Sequence, residues 1–201
     1  MSIDILAMQR RLADLGAGKA DGVAGPKTWA ALFSAFGAGG IATALGRGAA
    51  DHFADYGVIA SGLRLAHFMA QMSHESGGFR YMREIWGPTE AQLRYEGRAA
   101  LGNTHPGDGK RFMGRGIIQI TGRANYAEYG ALIDLDFVGS PELAEAPENA
   151  VWVACAYWQR RGLNGLADAD DVQAVTRRIN GGLNGLADRQ ARTIKAKGII
   201  L

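Results

Sequence analysis

The stretch AQMSHESGGFRYMREIWGPTE, residues 70–90, places the carboxyl side chains of Glu75 and Glu84 on either side of a glycine turn. The sequence just before Glu75 repeats large apolar residues at the spacing of one helix face, namely Leu65, Phe68, Met69 and Met72. This spacing predicts a buried helix that ends beside Glu75. Gly77 and Gly78 follow at once and allow the chain to reverse, which indicates that Glu84 can face Glu75 across a groove.

Paired carboxyl groups of this kind are typical of glycoside hydrolysis. One carboxylic acid protonates the leaving oxygen, and one carboxylate acts from the opposite face of the sugar. Phe79, Tyr81 and Trp86 add flat side chains on which sugar rings can lie. Spacing alone does not identify catalysis, because two glutamates nine residues apart are usually surface charges.

Composition limits the class of protein. The chain has 201 residues, 47% of them hydrophobic and 21% charged, which predicts one folded core with room for a small accessory unit. A formal charge of +2 gives no support for nucleic-acid binding. Apolar tracts are broken by glycine or charge before the roughly 18 residues needed to span a bilayer, so we expect no stable membrane insertion. We also expect a monomer.

Several motifs that would indicate a cofactor are incomplete. HESGG, residues 74–78, lacks the second histidine that a zinc-binding H-E-x-x-H helix requires. The phosphate-loop pattern fails in GVAGPKT at Pro26, and in HPGDGKR Arg111 stands where a magnesium-binding hydroxyl is needed. We therefore predict no metal and no cofactor. Cys155, in the apolar stretch WVACAYW, is predicted to be a buried thiol.

The N-terminal segment differs in composition from the rest. Residues 2–15 predict an amphipathic helix, and Pro26 begins a second helix after the Asp21-Gly22 turn. LAMQRRLADLG and ADGVAGPKTWAALF resemble, in order, a shortened peptidoglycan-binding module of bacterial and phage cell-wall hydrolases. A plain helical hairpin is the alternative. The predicted organisation is a module at residues 1–36, a Gly/Ala-rich linker at 37–48 and a catalytic domain at 49–201.

The remaining pattern is mainly α. Helical periodicity predicts helices over residues 147–161 and 171–180, and the clearest strand signal is GIIQIT at residues 116–121. Asp4 and the pair Arg10-Arg11 make the first residues unlike a secretory signal.

Four blocks of the sequence then resemble glycoside hydrolase family 19, the family of chitinases and phage endolysins. In order they are AHFMAQMSHESGGF, REIWGPT, GKRFMGRGIIQITGRANYAEYG and VTRRINGGLNG. The resemblance extends over about residues 50–195 and implies a lysozyme-like, mainly α catalytic domain. It also implies an inverting mechanism, in which the two carboxyl groups flank an attacking water.

Residue by residue, the resemblance implies that Glu75 is the general acid and Glu84 the general base. Thr121 falls where the family has a hydroxyl that helps to hold the water. Gln119, Asn125 and Asn180 are implied to bind sugar, and Tyr126 and Arg115 are implied to line or support the substrate cleft. Glu96, in RYEGR, remains an alternative base.

Together the two resemblances predict a phage-type endolysin that cleaves the β-1,4 bonds of bacterial peptidoglycan as a muramidase. Such an enzyme is expected to stay in the cytoplasm of its producer until a holin-type pore releases it to the cell wall. Three alternatives stay open at this point: a chitinase, a wall-binding protein without catalysis, and a peptidase or amidase.

Overall fold

A computed structural model describes residues 2–201, and in this range all the regular structure is helical. The α-helices are Ile5–Arg11 (α1), Pro26–Ala35 (α2), Ala42–His52 (α3), Gly62–Glu75 (α4), Glu90–Leu93 (α5), Asp108–Arg111 (α6), Arg123–Leu132 (α7), Pro147–Arg160 (α8), Leu163–Asp168 (α9), Val172–Asn180 (α10) and Leu186–Ile200 (α11). Short 3-10 turns lie at Ala13–Leu15, Gly39–Ile41, Ala99–Leu101 and Pro141–Glu145. The mainly α prediction is confirmed.

Helix α4 lies in the middle of the core and carries Glu75 as its last residue. Ser61 caps its N-terminus by accepting a hydrogen bond from the Arg64 amide, and its residues 65–73 are all buried. α4 packs along α11. Burial of such a continuous apolar face is the main source of stability for a helix of this length, so the position of Glu75 is fixed by the core itself.

A chain of edge-to-face aromatic contacts joins the N-terminal helices to the rest of the core. Trp29 meets Phe53 at a centroid distance of 5.5 Å, Phe53 meets Phe68 at 5.2 Å, and Phe68 meets Trp158 at 5.4 Å. These rings come from α2, the end of α3, α4 and α8. Each such pair adds about 0.5–1.5 kcal/mol beyond the area it buries. The N-terminal helices therefore share one hydrophobic core with the remainder of the chain.

The first helix is shorter than predicted. It begins at Ile5 rather than at Ser2, because the Asp4 carboxylate accepts a hydrogen bond from the Ala7 amide and caps the helix there. It ends at Arg11 and continues as a 3-10 turn. Residue 1, with which the predicted module opens, lies outside the described residues.

The segment predicted as a loose Gly/Ala-rich linker, residues 37–48, is largely part of helix α3. A Cβ atom on Gly46 would lie 2.4 Å from the Pro26 carbonyl oxygen, and one on Gly48 would lie 2.8 Å from the Glu148 carbonyl oxygen. The two glycines thus let α3 approach the backbones of α2 and α8 closely. The small residues that favour a flexible linker in the sequence serve here as helix-packing contacts, and the linker interpretation is wrong for residues 42–48.

The strand predicted at GIIQIT is also wrong. Residues 116–119 form a compact turn, and the flanking residues Arg115 and Ile120 make an isolated bridge. Gly116 and Gln119 both have positive φ, +73° and +51°, which breaks the extended conformation that the apolar pattern indicates. The helices predicted over 147–161 and 171–180 are confirmed within one residue at each end. Cys155 is fully buried, and burial raises the pKa of its thiol, as expected for a core residue.

Candidate active site

Glu75 ends helix α4 at the point where the chain turns out of the core. The hydroxyl of Ser76 donates to the Met72 carbonyl and accepts from the Phe79 amide, which fixes the turn. Gly77 has a φ of +60°, and a Cβ there would lie 2.8 Å from the Tyr81 ring. Glycine is therefore required at residue 77 both for the backbone conformation and for the aromatic ring packed over it.

Arg189 holds Glu75 in place, and sequence reasoning missed this residue. Its guanidinium donates through Nη2 to Glu75 Oε1 at 2.5 Å, through Nη1 to the Gln71 side chain, and through Nε to the Asn184 carbonyl at 3.3 Å. The Arg189 side chain is only 3% exposed, whereas that of Glu75 is 27% exposed. A buried cation thus orients a carboxyl group that still reaches solvent.

The sequence did contain a signal for Arg189. In α11 the buried positions are Arg189, Thr193, Ala196 and Ile200, which follow helical spacing. An arginine on the inward face of an otherwise small or apolar stripe is rarely buried without a carboxylate partner. That pattern predicts an ion pair with a glutamate from another element.

Glu84 lies in the loop after the turn and is held by three donors. Its Oε1 accepts from Gln92 Nε2 at 3.0 Å and from the Tyr95 hydroxyl at 3.3 Å, and its Oε2 accepts from the Gly114 amide at 3.0 Å. Burial raises the pKa of Tyr95, and the charge of Glu84 raises it further, so the phenol remains a donor near neutral pH. These bonds fix the orientation of a carboxylate, which is what a general base requires.

An open cleft of about 600 Å³ surrounds Glu84. Its lining includes two aromatic side chains, Tyr81 and Trp86, and three cationic ones, Arg80, Arg83 and Lys110. Glu75 is not among the lining residues of this cleft, but the Tyr81 ring, which is, lies so near Gly77 that a Cβ there would come within 2.8 Å of it. The two glutamates are thus held by separate partners and joined by the short turn between them.

Gln119 and Thr121 lie on the same side as Glu84. A Cβ on Gly114 would lie 2.8 Å from Gln119 Oε1 and 3.3 Å from Glu84 Oε2. Both side-chain oxygens therefore lie over the backbone of Gly114. Gln119 Nε2 donates to the Gly116 carbonyl at 2.7 Å and to the Tyr81 carbonyl at 3.2 Å, and the Thr121 hydroxyl donates to the Gln119 carbonyl at 3.0 Å. The left-handed backbone of Gln119, φ +51°, is the kind of local strain that clusters at functional sites.

Asn125 and Asn180 stabilise loops in this structure. Asn125 Nδ2 donates to the Thr121 carbonyl at 2.6 Å, which anchors the residue expected to hold water. Asn180, the last residue of α10, is exposed; its Nδ2 donates to the Asn184 carbonyl at 3.0 Å and its Oδ1 accepts from the Gly182 amide. Asn184 also accepts from Arg189, so Asn180 shapes the loop that leads to the cation holding Glu75.

Tyr126 and Arg115 are not placed to bind sugar directly. Tyr126 is fully buried, with its hydroxyl donating to the Met113 carbonyl at 2.6 Å and accepting from Arg115 Nη1 at 2.8 Å. Burial raises the pKa of the Tyr126 hydroxyl. Arg115 is itself buried and donates to Glu145 Oε1 at 2.6 Å. Both are buried in the floor beneath Glu84 and Gln119, where they can support the cleft but cannot contact a sugar directly.

Glu96, the alternative base, has a structural role in this arrangement. Its carboxylate accepts from the Gly107 amide at 2.6 Å and from the Gly109 amide at 2.8 Å. These two bonds hold the N-terminal end of α6 against the loop after α5. Both carboxylate oxygens of Glu96 are therefore engaged by backbone donors.

Residues 2–201 contain no group of three or more histidine, cysteine, aspartate or glutamate side chains arranged to hold a metal ion. Over the same residues, every helix is too short or too polar to cross a membrane.

Comparison with known proteins identifies the family. The family model for chitinase class I matches residues 27–164. A glycosyl hydrolase family 19 domain-containing protein of Haemophilus influenzae is 33% identical over 154 residues, which cover 63% of this chain and 75% of that protein. The endochitinase At2g43610 of Arabidopsis thaliana is 37% identical over 136 residues, covering 67% of this chain and 45% of that protein. This chain thus spans less than half the length of the plant relative.

Solved structures agree on the fold. Chitinase C from Streptomyces griseus HUT6037 superposes with a TM-score of 0.61 at 22% identity, covering 76% of this chain and 68% of that one. A bacterial family 19 chitinase superposes with a TM-score of 0.58 at 15% identity, covering 96% and 94%.

The mainly helical core and its superposition on family 19 chitinases show a lysozyme-like fold. The chain belongs to glycoside hydrolase family 19, the chitinase class I family, and is a chitinase-like hydrolase of that family.

Proposed function

We propose that this protein is an endolysin-type muramidase that hydrolyses the β-1,4 bonds of bacterial peptidoglycan by a single inverting displacement. Glu75 is the general acid, Glu84 is the general base, and no metal or cofactor takes part. The observation that carries the catalytic part is the separate fixing of the two glutamates, Glu75 by buried Arg189 and Glu84 by three donors beside the cleft.

In this mechanism, protonated Glu75 donates its proton to the glycosidic oxygen as the bond to the anomeric carbon breaks. Glu84 accepts a proton from a water that attacks the same carbon from the opposite face. The Thr121 hydroxyl, already donating to the Gln119 carbonyl, accepts a hydrogen bond from that water and orients it. Flat faces on Tyr81 and Trp86 stack against sugar rings on either side of the bond that is cut.

The choice of peptidoglycan as substrate rests on the N-terminal helices. These helices resemble wall-binding modules in sequence. A buried network around Gln9, which accepts from the Asp21 and Gly22 amides and donates to the Thr28 hydroxyl, links the residues that carry the resemblance. This network holds the Asp21-Gly22 turn against α1 and α2. We propose that the surface of residues 2–36 contacts the wall while the cleft cuts it.

The biological setting follows the same resemblance. A phage or prophage lysis enzyme of this type would act as a monomer and wait in the cytoplasm of its producer until a holin-type pore admits it to the wall. Fractionation of expressing cells with and without a pore-forming protein tests this proposal. Appearance outside the cytoplasm without the pore would contradict it.

The test of the catalytic proposal is mass spectrometry of fragments released from purified peptidoglycan after borohydride reduction, for the wild type and Glu75→Gln. We expect reduced N-acetylmuramic acid ends from the wild type. Glu75→Gln should be slower by about 10²–10⁴-fold, the contribution typical of general acid–base catalysis. Reduced glucosamine ends would change the bond assignment. Freed peptide stems, or products that persist in the variant, would refute the two-carboxylate mechanism.

A chitinase is the second candidate, because the plant relatives and the solved structures carry chitinase names. The same two glutamates would act on an uncharged polymer of N-acetylglucosamine. Turnover of chitin oligomers with no turnover of peptidoglycan would favour this candidate over the muramidase.

A further inference from the structure

A second concave surface lies at the C-terminal ends of α8 and α10, about 430 Å³ in volume. It is lined by Arg161, Leu166, Ala174, Arg177, Arg178 and Gly181. Half of these residues are arginines, and the other three are small or apolar. This basic groove, as we call it below, has no role in the two-carboxylate mechanism.

The three arginines of the basic groove are held by uncharged partners. Arg161 Nη1 donates to the Arg178 carbonyl at 3.0 Å, and Arg178 Nη1 donates to the Arg161 carbonyl at 2.9 Å. Arg177 Nη2 donates to the Gln173 side chain at 3.3 Å. Within residues 2–201 no carboxylate lies within 4.0 Å of these three guanidinium groups. The chain has nearly equal numbers of acidic and basic residues, so three neighbouring arginines without an acidic partner are a local excess of positive charge.

The nearest neighbours of the groove do not neutralise it. Glu128, on α7, pairs with Arg160 instead. Asp171 caps α10 by accepting from the Ala174 amide, and Asp168 pairs with Arg64 through two nitrogens. Glu128 and Asp168 are thus paired with arginines outside the groove, and Asp171 is bonded to a backbone amide.

The basic groove adjoins the end of the site that carries Glu75. The Arg161 guanidinium lies over the Tyr157 ring at 4.9 Å, and the Tyr157 hydroxyl donates to the Ile179 carbonyl at 3.3 Å. Burial raises the pKa of Tyr157; the charge of Glu75 adds to the rise and that of Arg161 opposes it. Tyr157 thus contacts both Arg161 and the last turn of α10, which carries Arg177 and Arg178.

We propose that the basic groove binds the carboxylates of peptide stems attached to the glycan strand that the site cuts. Planar guanidinium groups suit this ligand, because their paired donors match the two oxygens of a carboxylate. The small apolar lining beside them suits the short, alanine-rich character of such peptides. A chitin chain bears no carboxylate, so the groove would select between the two polymers. This inference rests on the proposed function.

The experiment measures binding to insoluble wall material in a Glu75→Gln background, so that cleavage does not interfere. The two ligands are purified peptidoglycan and the same peptidoglycan with its carboxylates converted to amides by carbodiimide and ammonia. The groove variant is Arg177→Gln, because Arg177 is exposed and bonds only to Gln173. The matched control is Arg47→Gln, which removes the same charge from exposed Arg47, an ion-pair partner of Glu148 on α8.

We expect Arg177→Gln to weaken binding to native peptidoglycan by about 2- to 5-fold at low ionic strength, as for one exposed charge pair. Its binding to amidated peptidoglycan should be unchanged, and Arg47→Gln should leave the preference for the native polymer intact. Arg177→Lys should recover only part of the lost affinity, because an ammonium keeps the charge but lacks the paired donors of a guanidinium. Equal losses in Arg177→Gln and Arg47→Gln, or equal binding of native and amidated material by the parent, would overturn the inference. Because no turnover is measured, these outcomes are independent of whether the wild type proves to be a muramidase.

A second measurement, the unfolding temperature, distinguishes a loss of binding from a folding defect. Arg177→Gln should unfold at the same temperature as the parent chain. A lowered unfolding temperature together with lost binding to both native and amidated peptidoglycan would attribute the effect to folding and would overturn the inference.

Discussion

Replacement of Arg189 by methionine tests how the fold orients Glu75. Methionine keeps much of the length of the side chain but removes all the donors that reach Glu75, Gln71 and the Asn184 carbonyl. Two of these bonds have neutral acceptors and contribute about 1 kcal/mol each, and the charge-assisted bond to Glu75 contributes about 1.5–3 kcal/mol. Since Glu75 is 27% exposed, water replaces part of that last bond.

The expected loss in the free energy of unfolding is therefore about 3 kcal/mol. For a chain of this size it corresponds to a fall in Tm of about 6–12 °C. The carboxyl group of Glu75 would also be free to rotate away from the bond it protonates. Misplacement by about 1 Å costs up to about 10²-fold in rate, so kcat on soluble glycan fragments should fall by at least about tenfold with little change in KM.

Scanning calorimetry and steady-state kinetics on one preparation measure both effects. Arg192→Met is the matched control, since Arg192 lies one turn further along α11 and pairs at the more exposed surface with Asp188. Its loss should cost at most about 1 kcal/mol and leave kcat unchanged. If Arg189→Met lowers Tm but keeps kcat within about threefold of the wild type, Arg189 serves only stability and the positioning role is refuted.

Three further outcomes follow from the structure. Glu84→Gln should reduce turnover by about 10²–10⁴-fold, whereas Glu96→Gln should mainly lower Tm; the reverse order would make Glu96 the base. Gly46→Ala should cost about 1–3 kcal/mol in chemical denaturation because its Cβ meets backbone atoms, while Gly198→Ala, with open space, should be neutral or stabilising. Burial lowers the pKa of the His67 imidazole in the folded chain below 6.5. The unfolded chain therefore binds a proton at His67 more readily than the folded chain, and the free energy of unfolding falls as pH drops below about 6.5. His67→Gln should flatten the dependence of Tm on pH below 6.5, and an unchanged slope would show that His67 is not its cause.

The part of the site that the sequence predicts is the part with a local pattern. A helix that ends beside Glu75, followed by glycines, can be recognised because one run of residues contains both the apolar stripe and the turn. The support for that glutamate cannot be recognised in the same way. Arg189 comes from a helix 114 positions further along the chain, and only packing of α11 on α4 brings the two together.

Local pattern also misleads where packing decides the conformation. The heptapeptide GLNGLAD occurs at residues 162–168 and again at 182–188. In the first copy Leu163 already begins a helix, whereas in the second copy the helix begins only at Leu186. Identical residues thus start helices at different positions, so the local sequence alone does not determine where each helix begins. The same reasoning explains why small residues at 42–48 form a packed helix rather than a linker.

The close packing of α3 has a consequence for how the enzyme would move on its substrate. A flexible connection of 12 residues would have a root-mean-square end-to-end distance of about 20 Å, since that distance is about 5–6 Å times the square root of the number of residues. A module on such a linker could therefore move by about 20 Å relative to the cleft. Gly46 and Gly48 instead lock the N-terminal helices to the core through α2 and α8. If residues 2–36 bind the wall, the distance from the bound surface to the cleft is fixed. Each binding event then brings only one small region of glycan to the cleft, and hydrolysis of the next region requires the whole molecule to dissociate and bind again.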